Sequence, residues 1–144
     1  MRITPHVRTE ILRNAYFVLT EETVTLGTQL LRVVRTAAPF LDLGDARFQY
    51  VYLNSRLDRH GRSGRFLLID LRQAPGRNDP GFEEMMAEVR PKLMFGFRRV
   101  GILTATAGGT LQVMRHTRQD GVDALISSNE SDLLSFFRVS TSRR

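Results

Sequence analysis

The chain contains neither cysteine nor tryptophan. Without cysteine there is no disulfide, no thiolate metal site and no thiol nucleophile. The three histidines, His6, His60 and His116, lie far apart without ligand spacing, so no metal site is expected. Lysine is nearly missing as well: Lys92 is the only one, and arginine supplies the rest of the 21 basic residues. No apolar run approaches the roughly 20 residues that cross a bilayer, so no transmembrane segment is expected. The opening Met1-Arg-Ile-Thr-Pro-His has no apolar signal core, which makes a cytoplasmic location the expectation. No serine–histidine–acid set or working carboxylate pair can be assembled with a stated role. A non-enzymatic protein without catalytic residues or cofactors is therefore expected.

What is present fits one soluble globular domain. The 144 residues are 42% hydrophobic and 25% charged, enough to bury a self-sufficient core. The central stretch runs from Gly64 to Arg72, where Phe66 to Leu71 is apolar except for Asp70. Such a run is too short for a helix and reads as a strand buried on both faces. The loop Gln73-Ala-Pro-Gly-Arg-Asn-Asp79 follows, and Asp79-Pro80 supplies an N-cap and a first-turn proline. Strand, loop and helix start together make a βα unit.

The remaining elements fall around this unit. Residues 7–36 read as a pair of strands centred on Ala15–Leu19 and Leu30–Val34, with a turn at Thr20 to Thr23 and a bulge or second bend at Gly27. Ala46, Tyr50, Leu53 and Leu57 keep helical spacing over about Leu43 to Arg59. A second helix from Asp79 carries Phe82, Met85, Met86, Val89, Leu93 and Phe97, and Pro91 should kink or split it near Ala87. Val100 to Thr104 is a strand, Gly108-Gly109 opens a helix that Gly121 closes, and Val122 to Ile126 is a short strand. Asn129 caps a last helix. The expected fold is α/β: a mixed, mostly parallel sheet with an N-terminal antiparallel strand pair and about four helices. One domain covers 1–144, with a core over about 15–139 and a polar tail at 140–144.

This element order, with Arg65-Phe-Leu-Leu-Ile-Asp-Leu-Arg72, an Asp-capped helix and Arg99-Val-Gly-Ile-Leu103, resembles the STAS-like family. That family includes SpoIIAA-type anti-sigma-factor antagonists and SpoIIAA-like proteins grouped with lipid-binding Sec14 folds. The resemblance spans roughly Ala15 to Val139 and implies a regulatory, protein-interaction or ligand-binding domain. Regulatory members carry a phosphorylatable serine or threonine in the loop after the third strand. Here Gln73 to Pro80 holds neither, so no phosphoswitch is expected.

Candidate site residues cluster on that loop and the helix after it. Asp70, Arg72, Arg77, Asn78 and Asp79 can present charge beside the first N–H groups of the helix. Met85 and Met86 can offer an adaptable apolar contact to a protein or lipid. The expected partner is another protein, a second copy of the chain or a small apolar ligand. Two weaker patterns are more simply structural. Gly108-Gly109-Thr110 lacks the lysine and spacing of a phosphate-binding P-loop. Arg56, Arg59, Arg62 and Arg65 recur at three-residue intervals, but with no stacking platform beside them they and the net charge of +6 give little support to nucleic-acid binding.

Overall fold

The computed structural model describes residues 7–25, 27–76, 79–120 and 123–142. The chain begins with β1 (Arg8–Arg13), whose charged, exposed residues suit the edge of a sheet. It pairs antiparallel with β2 (Phe17–Thr25), which pairs antiparallel with β3 (Thr28–Arg35). Gly27, at φ +77°, makes the turn between β2 and β3 in the left-handed region that glycine favours. The N-terminal pair is thus a three-stranded meander. The polar stretch Thr20 to Thr23, expected as a turn, lies inside β2 instead. Glu22 can sit buried there because the Arg32 guanidinium on the neighbouring strand pairs with it.

From β3 onward strands and helices alternate: α1 (Leu43–His60), β4 (Phe66–Asp70), α2 (Pro80–Met94), β5 (Arg99–Leu103), α3 (Ala107–Asp120), β6 (Leu125–Ser127) and α4 (Glu130–Ser142). Among the described residues six strands form one sheet in chain order, with β3 to β6 parallel. The α/β class, the mostly parallel mixed sheet and, among the described residues, the four helices therefore stand as expected. Polar caps fix the helix starts. Asp42 accepts from Asp45 N at 2.7 Å, Asp79 from Phe82 N at 3.3 Å and Asn129 from Ser131 N at 2.9 Å.

Alternation along the strands divides the core into two. Leu31, Val33, Leu67 and Ile102 face Leu53 and Leu57 of α1 and Met85 and Val89 of α2. Leu30, Phe66, Leu68 and Leu103 face Leu133 and Phe137 of α4 on the other side. Phe66 and Phe137 are fully buried and stack with ring centroids 4.8 Å apart. Each such side chain contributes roughly 1.5–3 kcal/mol by leaving water.

Three boundaries differ from expectation. Helix α2 runs unbroken through Pro91 to Met94. The proline leaves the Ala87 carbonyl without its helical donor, yet buried Val89, Leu93 and Met94 hold the last turn on the core. Arg62 also reaches the end of that helix, its Nη1 donating to the carbonyls of Lys92, Leu93 and Phe95 at 2.8–3.0 Å. Phe97 therefore lies past the helix, beyond Gly96 at φ +88°. Helix α4 continues to Ser142, into the stretch expected as a tail. Gly121 and Val122, read as a helix stop and a strand start, lie outside the described residues.

The tightest fit is where β5 passes under α4. A Cβ at Gly101 would stand 3.0 Å from Phe137 Cζ and 3.2 Å from Leu133 Cδ2. Gly101→Ala is expected to overpack this side of the core and cost about 1–3 kcal/mol in urea unfolding. Combined with Phe137→Leu, the loss should fall short of the sum of the two single losses, because the substitutions share one space.

Candidate functional site

The carboxyl ends of β3, β4 and β5 deliver Arg35, Leu71 and Thr104 to one end of the sheet, where a cleft of about 980 Å³ opens between the sheet and the helices on its α1–α2 face. Ile69, Leu71 and Ile102 form its floor. The loop between β3 and α1 contributes Pro39, Phe40 and Leu41, and α2 contributes Phe82, Met86, Leu93 and Met94. Thr104 to Thr106 and the first turns of α3, with Gly109 and Val113, close the third side. Most of the lining surface is apolar, and Arg35, Asp42, Arg72, Glu83, Arg90 and His116 set charged or titratable groups into it.

Arg35 is the most unusual of those groups. It is 5% exposed and ends β3 on the face that Leu31 and Val33 give to the core. Its guanidinium carbon lies 4.1 Å from the Phe40 ring centroid and 5.9 Å from those of Tyr16 and Phe17. Nη1 donates to the Thr36 carbonyl oxygen at 2.8 Å, and the Tyr50 hydroxyl is its other neighbour. Burial pushes the Arg35 pKa down from its ordinary value, only partly opposed by Tyr50 and Tyr16. Tyr50 is itself raised by burial, so its hydroxyl stays neutral and is no counter-charge. Among the described residues no carboxylate pairs with Arg35.

The site residues expected from sequence divide between the two faces. Asp70 points to the α4 side, 4% exposed. Burial alone would raise its pKa, but hydrogen bonds from the Arg72 side chain and backbone N–H outweigh it and hold the carboxyl below its usual range. Arg72 grips both Asp70 oxygens at 2.8 and 3.0 Å and reaches Glu130 at 3.5 Å, while also lining the cleft mouth. Asp79 caps α2. Met85 is core, and Met86 faces the cleft. Arg77 and Asn78 lie outside the described residues.

The arginine run from 56 to 65 is largely committed to holding the fold together. Arg56 donates to the Ile11 carbonyl on β1, Arg62 caps α2 and Arg65 pairs with Glu21 at 2.9 Å. In the glycine stretch, Thr106 Oγ1 already accepts from Gly109 N at 3.0 Å. His116 lines the cleft 3.8 Å from Glu83. Among the described residues no group of three metal-ligating side chains occurs.

Sequence reading missed Arg35, Phe40 and Tyr50 as a unit. The available signal was the period of two: after Leu31 and Val33, position 35 is core-facing, and an arginine there is out of pattern. A scan against family models, a search of curated proteins and a search of solved structures each found no match for this chain.

Two outcomes follow from the Asp70 and Asp79 geometry. A carboxyl with a lowered folded pKa contributes stability that is present above its unfolded value of about 4 and lost as pH falls through the folded one. Asp70→Asn should therefore be less stable than the parent near neutral pH and show a shallower acid limb in denaturation followed by circular dichroism. Asp79→Ala should cost roughly 1 kcal/mol through loss of the α2 cap, read as a lower urea midpoint at unchanged slope.

Proposed function

We propose that this chain is a non-catalytic domain that holds a small, largely apolar ligand, as a carrier or a sensor. One observation carries the reading: the cleft of about 980 Å³, floored by Ile69, Leu71 and Ile102 and walled by α2. Small-molecule sites are concave, mainly apolar and about 300–1,000 Å³, with few polar groups. In open α/β sheets they lie outside the carboxyl ends of the strands. The STAS and Sec14 resemblance agrees with this reading, since lipid binding is known on that side of the family.

A protein-interaction module is the second reading, favoured by the exposed loop residues Arg72, Gln73, Pro75 and Gly76. Arg72, Pro75 and Gly76 also line the cleft, so a partner docked there would feel its occupancy.

The test is to fill the cleft. Val113, half-buried on α3, lines it. Val113→Trp should keep the fold and lose binding of medium-chain amphiphiles by at least about tenfold, equivalent to 1.4 kcal/mol, measured by calorimetry and native mass spectrometry. A parent protein that binds no member of an amphiphile panel would overturn the ligand reading.

A further inference from the structure

Two arginines of β3 are buried to the same extent and treated in opposite ways. Arg32 and Arg35 are each 5% exposed. Arg32 meets Glu22 and Glu130. Arg35, three residues on and facing the other side of the sheet, meets the rings of Phe40, Tyr16 and Phe17. Its acceptors, the Thr36 carbonyl and the Tyr50 hydroxyl, are neutral. Burying a cation without a counter-ion is unfavourable, and ring faces offset only part of that penalty. A charge kept in this state at the wall of an open cleft is suited to an anion that arrives with a ligand.

The ligand-holding reading above is the basis for this step. We propose that the cleft takes an amphipathic monocarboxylate, its head paired with the Arg35 guanidinium and its apolar tail lying against Met86, Leu93 and Met94. The planar guanidinium fork matches a carboxylate with two parallel hydrogen bonds. Arg72, also on the lining, already holds Asp70 and Glu130. Asp42, Glu83 and Arg90 also line the cleft, but Arg35 is the cleft-lining group whose described contacts are rings and neutral oxygens, and one carboxylate head balances its single charge. The tail has room over the apolar floor and against Phe82, Met86, Leu93 and Met94 of α2, with Glu83 and Arg90 of the same helix also on the lining.

The test compares decanoate with decanamide and decyl phosphate by calorimetry on delipidated protein. The parent should bind decanoate at least about tenfold tighter than decanamide, a difference of 1.4 kcal/mol. Arg35→Met should bind the two alike at the decanamide level, and Arg35→Lys should keep part of the preference for decanoate. Should Arg35→Met fail to fold, the parent's preference and the Arg35→Lys variant decide the matter. Equal binding of decanoate and decanamide by the parent overturns the carboxylate assignment and leaves the ligand-holding reading intact. Tighter binding of decyl phosphate than of decanoate overturns the monoanion. Binding of none of the three overturns both readings.

Discussion

The parallel run from β3 to β6 is the constraint on which the rest of the structure depends. Crossovers between parallel strands are right-handed, and these strands lie side by side in chain order. Successive crossovers in one direction place their helices on one face, where α1 and α2 bury Leu53, Leu57, Met85 and Val89 and Val113 of α3 packs against them. No described strand follows α4, so it is released from that rule. It folds back to cover Leu30, Phe66 and Leu68, which would otherwise face water. The strand order never reverses, so the cleft does not open at a switch point within the sheet. It opens between the sheet and the helix layer, where the loops leaving β3 and β5 lie on either side of β4.

The same alternation explains why neighbouring polar residues have unrelated tasks. Arg32 and Arg35 differ by an odd number of positions and so face opposite sides of β3. Arg32 joins Glu22 of β2 to Glu130 at the start of α4. This ties the antiparallel edge, the parallel centre and the last helix together through charges that compensate one another. Asp70 and Leu71 separate in the same way: the carboxylate goes to the α4 side and the leucine to the cleft. Arg72 turns the chain at that point, its backbone and side chain both donating to Asp70.

Much of the fold was legible in the sequence because strong local signals agree with the tertiary structure. Helix α1 shows its period at Ala46, Tyr50, Leu53 and Leu57, all buried. The Asp79-Pro80 start of α2 is a local capping signal, and β4 is an apolar run too short to be anything else. What stayed hidden depended on long-range partners. Glu22 looks like a turn residue until Arg32 is placed beside it, and β1 carries no buried pattern because it is an edge. Pro91 looks like a break until Arg62, 29 positions earlier, is seen to hold the carbonyls after it. The candidate site was half visible. The loop after β4 does rim the cleft, but Phe40, Tyr50 and Arg35 come from a loop, a helix and a strand, and only the packing of α1 on the sheet brings them to one point.

That convergence also changes the meaning of the arginine excess. A net charge of +6 with a single lysine invites a search for a polyanion surface. A guanidinium, however, can hold several acceptors at fixed angles, which an ammonium point charge does less well. Arg62 gathers four backbone carbonyls, a side-chain amide and the Asp58 carboxylate, Arg56 reaches a strand carbonyl and Arg65 holds Glu21. Arg32 and Arg72 are absorbed by Glu22, Asp70 and Glu130. These residues hold the fold together and present no common surface. Against that background the buried arginine that faces rings and an open cleft is the informative one, because the described residues supply it with neither a carboxylate nor a helix end to cap.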